Sequence, residues 1–178
     1  HILDLIDRHD GTSIVFTPSV EVVPEVAERV VLVGTDGSIV ADSVGFKDHN
    51  YVWLVSEGRY SDFVLKLEFR AYERITGNSG VQIRSRYDEE ANWLDGPQVD
   101  ICPAQPWRTG MMWDETRGNQ RWIYPDLPKG KWVNESMAWD NHYFKYNHNE
   151  EGWNDLSIKA LGNRVTVRLN NHLIADYD

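Results

Sequence analysis

Apolar and polar side chains alternate along several short segments of this chain. In residues 62–72 the side chains of Phe63, Leu65, Leu67 and Phe69 share one face, and charged side chains occupy the other. A period of two predicts a half-buried β-strand. The same pattern predicts strands over 79–87, 97–102, 156–159, 165–169 and 172–177. The last three are joined by Gly162-Asn163 and Asn170-Asn171, which are turn signals that favour hairpins.

The N-terminal third adds short segments rich in β-branched and aromatic residues, at Thr12–Phe16, Arg29–Val33, Ser38–Ala41 and Tyr51–Ser56. Pro24–Val30 suits a short helix, but no long amphipathic helix is present. Many short strands with regular turn signals predict an all-β sandwich or jelly roll. The stretch 103–150 is too long for an ordinary loop, so we expect it to be irregular, ordered and functional.

Tryptophan is concentrated in that irregular stretch. Seven of the eight tryptophans lie between residues 93 and 153, together with five of the seven prolines. Core packing explains any single tryptophan, but it does not readily explain all seven. Flat indole rings can instead stack on the C–H faces of sugars.

The predicted strands carry unusual polar side chains on their non-core face. They are Gln82, Arg84 and Arg86 on one strand, Gln98 and Asp100 on a second, and Arg168 and Asn170 on a third. A solvated strand face is the plain alternative. The mixture of amides, guanidinium groups and a carboxylate beside tryptophan-bearing loops favours a carbohydrate site, where polar groups bind hydroxyls and rings stack.

Two other segments carry candidate chemistry. Met111–Gly118 places the adjacent carboxylates of Asp114 and Glu115 beside Arg117, which suits either a catalytic acid or base or a surface turn with an ion pair. The run from Asp140 to Glu150 contains His142 and His148 and suits either a divalent cation, such as calcium, or a solvated loop. The six histidines show no zinc-triad spacing.

Length and charge exclude several classes of protein. The 178 residues suit one domain over 1–178. The net charge of −10 argues against a nucleic-acid partner, because a phosphate backbone needs a basic face. No apolar run approaches the ~18 residues of a membrane span. Cys102 is the single cysteine, which excludes a disulfide framework and a cysteine zinc site. The chain begins at His1 without a visible signal peptide, as in a processed or trimmed product.

Several motifs together resemble the 3-keto-disaccharide hydrolase domain family. They run in order from about residue 30 to residue 178: Trp53–Glu57 with Tyr60–Phe63, Leu65–Arg70, Asn78–Arg86, Gly96–Ile101 with Trp113–Arg117, and Gly152–Asp155 with Gly162–Val165 and Leu169–Leu173. The resemblance implies a concanavalin A-like jelly-roll β-sandwich of two antiparallel sheets. It also implies action on sugars and a periplasmic or secreted location.

The sequence departs from that family at both ends. Residues 1–30 lack the family's opening Phe-Asn/Asp-Gly stretch, and two further strands are expected after Asp178. Such strands, or a second chain, would complete the exposed edge of a sheet.

The chemistry implied by the resemblance differs from that of ordinary glucanases. Retaining glucanases of this superfamily carry Glu-x-Asp-x-x-Glu on one strand, whereas Gln98, Asp100 and Pro103 stand there in this chain. Both glutamates are absent, so a double displacement is not expected. A ketone at C3 acidifies the C2 proton and allows elimination, followed by hydration, at the concave sheet face. This route needs a base, an electrophile for the enolate oxygen, and an acid for the leaving group.

We therefore predict the following roles. Asp100 or His172 is the base, Arg84 or a bound divalent cation is the electrophile, and Glu115 is the reserve acid. The predicted substrate contacts are Gln82, Gln98, Trp107, Trp113, Arg117 and Trp122. Two other classes of function stay open. A non-catalytic carbohydrate-binding module needs the same rings and amides without the base, and a structural or interaction domain of a secreted assembly needs neither.

Overall fold

The computed structural model describes residues 31–33, 39–41, 53, 59–70, 79–102, 107–137 and 153–178. Several predicted features lie outside this part of the chain. They are the strand over Thr12–Phe16, the short helix over Pro24–Val30, and the run that carries His142 and His148. Of the predicted strand Tyr51–Ser56, only Trp53 is described.

The described residues form twelve strands. They are β1 Val31–Val33, β2 Ile39–Ala41, β3 Phe63–Arg70, β4 Ser79–Gln82, β5 Arg86–Asp88, β6 Trp93–Asp95, β7 Pro97–Ile101, β8 Met112–Asp114, β9 Arg121–Tyr124, β10 Trp153–Leu161, β11 Arg164–Leu169 and β12 His172–Tyr177. The part of the chain that the structure describes contains no helix, and so none long and apolar enough to cross a membrane. The chain is therefore all-β over these residues.

The strands pair in two four-stranded antiparallel sheets and two short hairpins. The back sheet has the order β12-β11-β10-β3, and the front sheet has the order β4-β7-β8-β9. The hairpins are β1–β2 and β5–β6. The β11–β12 turn contains Asn170 and Asn171, both with positive φ, a backbone conformation that asparagine tolerates better than most residues.

One apolar core lies between the two sheets. The back sheet contributes Phe69 of β3, Ile158 of β10 and Val167 of β11, and the front sheet contributes Val99 and Ile101 of β7. All five side chains are buried. Because both sheets bury one face in the same cluster, the described strands have the layered arrangement of a β-sandwich. The finer jelly-roll connectivity stays a prediction.

Two predicted boundaries are corrected. The alternation over 79–87 predicts one strand, but the strand stops after Gln82 and resumes at Arg86. The break falls at Arg84, whose φ of 50° is left-handed. The sequence also predicts an irregular segment over 103–150, whereas its described part contains β8 and β9, which complete the front sheet. These strands span only three and four residues, too few for alternation to be recognised.

Candidate functional site

Four side chains form a row across the front sheet. Gln98 of β7 stands opposite Gln82 of β4 on one side and opposite Trp113 of β8 on the other. Trp113 in turn stands opposite Trp122 of β9. Alternate residues of β7 point into the core, so Gln98 and Asp100 point to the outer face of the sheet. The row therefore places two amides and two indoles side by side on the face opposite the core.

A chain of hydrogen bonds runs along this face toward Asp100. The Ser85 hydroxyl donates to Gln82 Oε1 at 2.8 Å, and Gln82 Nε2 donates to Gln98 Oε1 at 3.3 Å. Gln98 Nε2 then donates to Asp100 Oδ1 at 2.7 Å. A carboxylate only accepts hydrogen bonds, so Asp100 fixes which end of the Gln98 amide faces it. The donor and acceptor directions of the other two hydrogen bonds follow from that one contact.

Asp100 is a buried carboxyl group that titrates near neutral pH. Only 2% of the residue is exposed, and burial raises its pKa to about 6. The hydrogen bond from Gln98 and the nearby charge of Arg108 oppose this shift without cancelling it. Arg108 Nε lies 3.5 Å from Asp100 Oδ2. A carboxyl group with such a pKa is suited to take up and return a proton near neutral pH.

Arg108 is the cation beside this carboxyl group. Its Nη2 donates to Cys102 Sγ at 2.7 Å, and its Cζ lies 6.0 Å from the centroid of the Trp122 ring. The turn after β7 holds it there, because Arg108 N donates to Cys102 O and Met111 N donates to Arg108 O. This turn packs tightly at Gly110, where an added Cβ would lie 2.7 Å from Ile174. The guanidinium group is thus fixed between Asp100 and an indole ring.

Glu115 is a second carboxyl group on the same face. It directly follows β8 and lies two positions along the chain from Trp113. Burial raises its pKa, while hydrogen bonds from Gln120 and Trp113 oppose the increase. The charge of Glu115 in turn raises the pKa of Asp100. The two carboxyl groups therefore interact electrostatically.

Three tryptophans form an aromatic cluster at one end of the row. Trp122 is buried, with Trp113 packed edge-on at a centroid separation of 5.1 Å and Trp132 edge-on at 6.2 Å. Trp113 and Trp132 stack nearly parallel, with centroids 5.0 Å apart and an interplanar angle of 17°. Trp132 is 63% exposed. The cluster thus rises from a buried ring to an exposed one, and Trp113 connects it to Gln98 in the row.

The chain was compared with known families and with curated sequences. Residues 16–178 match the 3-keto-alpha-glucoside-1,2-lyase-like domain. The chain belongs to this family. The comparison with curated proteins finds no match.

The predicted position of Arg84 on the polar face of this lyase-like domain is wrong, because its side chain binds residues beside the back sheet. Arg84 Nε donates to the Ser61 carbonyl at 2.8 Å, and Nη1 donates to the Gly162 carbonyl at 2.6 Å. It also pairs with Asp62 at 3.4 Å. All three partners border strands of the back sheet, because the left-handed φ of Arg84 turns its side chain away from the direction that the alternation predicts. Arg84 fastens one sheet to the other.

His172 and Arg117 also lie apart from the row. His172 is the first residue of β12, in the back sheet, so the core separates its strand from Asp100. Arg117 donates to both oxygens of Asp95 and to Asp88 Oδ2, with its shortest contacts at 2.7 Å. These contacts lower the pKa of Asp95 and Asp88. Arg117 therefore holds the β8–β9 turn against the β5–β6 hairpin.

Two of the predicted sugar-contacting tryptophans are covered by protein. Trp107 is 1% exposed and belongs to the core between the sheets, so its ring is core packing. Trp122 lies beneath Trp113 and Trp132 and packs against Met111 and Val133. Of the three rings predicted to contact sugar, Trp113 keeps partial exposure at the outer face.

Sequence reasoning missed Arg108 and Trp132. Both lie outside the strands, where no alternation indicates the direction of a side chain. A usable signal existed for Arg108, which is the next cation along the chain after Gln98 and Asp100. For Trp132 the sequence offered only its place in the tryptophan-rich stretch.

The described residues offer no cluster of metal ligands. Among the residues that the structure describes, no group of three or more histidine, cysteine, aspartate or glutamate side chains could hold a metal ion. The face around Asp100 instead presents a guanidinium group as its positive charge. The cation predicted at the run with His142 and His148 lies outside the described residues.

Proposed function

We propose that the outer face of the front sheet binds a 3-keto-glycoside and cleaves it by elimination followed by hydration. The observation that carries the proposal is the pair Asp100 and Glu115. Both carboxyl groups have raised pKa values and interact across one face, beside amides and a partly exposed indole. Environments that raise the pKa of neighbouring carboxyl groups are typical of acid–base sites. Membership of the 3-keto-alpha-glucoside-1,2-lyase-like domain family supports the same substrate class.

The proposed reaction needs no oxocarbenium ion. A base removes the C2 proton, and the electrons of the C2–H bond form an enolate with the C3 carbonyl. The enolate then collapses, the C1–O bond breaks, and a C1=C2 double bond forms as the C3 carbonyl returns. The leaving oxygen takes a proton from an acid. Addition of water at C1 and of a proton at C2 gives the free 3-keto sugar.

Asp100 and Arg108 suit the first half of this reaction. C2 and the C3 oxygen belong to neighbouring atoms of the substrate, so the base and the electrophile must also be neighbours. Arg108 Nε lies 3.5 Å from Asp100 Oδ2, and both groups are largely buried. With a pKa of about 6, Asp100 is mostly ionised at pH 7 and can accept the proton. In this proposal Arg108 takes the electrophile's role that was predicted for Arg84.

Glu115 suits the second half. Its raised pKa favours a protonated fraction that can donate to the leaving oxygen. It is also more exposed than Asp100, so it can reach an oxygen outside the buried part of the site. Gln82 and Gln98 would bind hydroxyls of the reacting sugar, and the edge of the Trp113 ring would border it.

We expect substitutions of the two carboxyl groups to impair different steps of the reaction. We expect D100N to lower kcat/KM for a 3-keto-glucoside by ~10³-fold or more and to abolish exchange of the C2 hydrogen with D2O. We expect E115Q to lower turnover by a similar factor while C2 exchange in recovered substrate continues, because proton removal precedes departure of the leaving group. Product assays and proton NMR measure the two quantities.

The matched control is D155N, which changes an exposed aspartate of β10 in the back sheet. It should behave as the unsubstituted protein. Unimpaired C2 exchange in D100N would remove Asp100 from the base role, and unimpaired turnover in E115Q would remove Glu115 from the acid role.

A non-catalytic carbohydrate-binding module is the second candidate, and the exposed ring of Trp132 favours it. Rings and amides suffice for binding, and a binding module has no use for two interacting carboxyl groups. Calorimetric binding of plain glycans together with no turnover of any 3-keto-glycoside would support this alternative. A periplasmic or secreted location stays a prediction, which fractionation of the producing cells would test.

A further inference from the structure

We propose that Trp132 is the platform for the sugar on the leaving-group side of the bond that is cleaved. The inference rests on the proposed function and names a second subsite for it. Its starting point is the exposure of Trp132, which at 63% is high for an indole in a folded region with stacked neighbours. Leaving so much apolar surface in water forgoes the free energy of burying it.

The loop after β9 holds the ring in this exposed position. Val133, the next residue, is buried against Met111 and Trp122. A turn precedes the ring, where Lys131 N donates to Pro128 O at 3.0 Å. A second turn follows, where Asn134 Oδ1 accepts hydrogen bonds from Ser136 N and Met137 N. Trp132 is therefore anchored on both sides, and an anchored ring loses little entropy when a ligand stacks on it.

The stacking geometry leaves one face of the ring for a ligand. Trp113 covers the other face in a nearly parallel stack at 5.0 Å, and Trp122 contacts Trp132 edge-on at 6.2 Å. A flat, anchored indole with one open face matches the C–H face of a pyranose.

The position of the ring identifies which sugar it would bind. Trp113 stands opposite Gln98 in the row, and its indole lies close enough to Glu115, the proposed acid, to lower the pKa of that carboxyl group. Trp132 lies one ring beyond Trp113, and so one ring further from Glu115. In a disaccharide the second sugar is the direct neighbour of the reacting sugar across the bond that is cleaved. With the reacting ring at Asp100 and Glu115, the leaving ring would lie over Trp132.

The test compares two substrates. W132A should raise KM for a 3-keto-disaccharide about tenfold with kcat unchanged, and should leave the kinetics of a methyl 3-keto-glucoside unchanged, since that substrate has no second ring. W132F, which keeps a flat ring, should restore most of the lost affinity. Y60A is the matched control, because Tyr60 is also 63% exposed and adjoins the back sheet; it should match the unsubstituted protein with both substrates.

Several results would overturn the proposed role of Trp132 without overturning the proposed function. Equal losses with both substrates would make Trp132 a structural residue, and no loss with either would show that its ring binds no sugar. If the unsubstituted protein turns over neither substrate, the proposed function has failed, and calorimetry then decides on the platform. Tighter binding of a plain disaccharide than of its monosaccharide, lost in W132A, would support it; equal binding of the two sugars, or of W132A and the unsubstituted protein, would overturn it.

Discussion

Asp100 ionises at a cost to stability that its neighbours reduce but do not cancel. Burial raises its pKa despite the hydrogen bond from Gln98 and the charge of Arg108. In the unfolded chain the same carboxyl group is hydrated and has an ordinary pKa near 3.8. Folding therefore favours the protonated form. A buried charge that lowers stability is typical of a functional site, where activity is kept at the expense of stability.

The pH dependence of stability follows with a definite sign. The folded pKa lies above the unfolded value, so the stability that this group contributes is present below about pH 4 and is lost as the pH rises through about 6. D100N has no such charge. We expect D100N to be more stable than the unsubstituted protein at pH 7 by about 2–3 kcal/mol, and the difference to vanish near pH 4.

Urea unfolding at several pH values measures this difference, with D155N as the control that should show no gain. A D100N protein that is less stable at pH 7 would mean that the contacts of the carboxylate with Gln98 and Arg108 outweigh its desolvation.

At the scale of strands, the sequence predicts the long elements and three short ones, β1, β2 and β4, but it misses β6, β8 and β9. β3, β7, β10, β11 and β12 fall within or around the predicted segments and are confirmed. β8 and β9 span three and four residues, too few for alternation to be recognised. Alternation also places Gln98 and Asp100 on the outer face, as observed, but it misplaces Arg84, because β4 ends at Gln82 and Arg84 has a left-handed φ.

The pairing of β4 with β7 contributes directly to the site through Gly80. A Cβ added there would lie 2.5 Å from Gln98 Cγ and Cδ and 2.8 Å from the Val99 carbonyl. The Gln98 side chain thus lies across Gly80 on its way to Asp100. We expect G80A to lower stability by about 1–3 kcal/mol and to reduce turnover by displacing Gln98.

A double-mutant cycle tests whether Gln98 is the cause. G80A should cost less stability in a Q98A background, where the side-chain clash is gone and the carbonyl contact alone stays. S79A, on the same strand, is the control and should change little. An equal cost of G80A in both backgrounds would assign the effect to the backbone and not to Gln98.

At the scale of the molecule, the described residues divide into a frame and a polar face. The back sheet and the core supply the frame, with Arg84 joining the sheets through Ser61 and Gly162. The front sheet carries the polar row, the two carboxyl groups and the aromatic cluster on its outer face. Family membership and the all-β class could be predicted from sequence motifs, and both are confirmed.

The site was less predictable than the fold for a physical reason. Arg108 and Trp132 are positioned by turns and by contacts between residues distant in sequence, such as the stack of Trp132 on Trp113. Trp107 carries the same side chain as Trp132, yet one ring lies in the core and the other in water. Residue type alone cannot distinguish them, because the fold decides which indole faces solvent.

The most direct test of the proposed elimination is the fate of the C2 hydrogen during cleavage. A 3-keto-glycoside deuterated at C2 is incubated with the unsubstituted protein in ordinary water, and mass spectrometry of the released keto sugar measures the deuterium that stays. Elimination requires C2–H cleavage, so we expect the product to lose the C2 deuterium as it forms, after correction for exchange in protein-free controls. Cleavage with the C2 deuterium fully retained would contradict it.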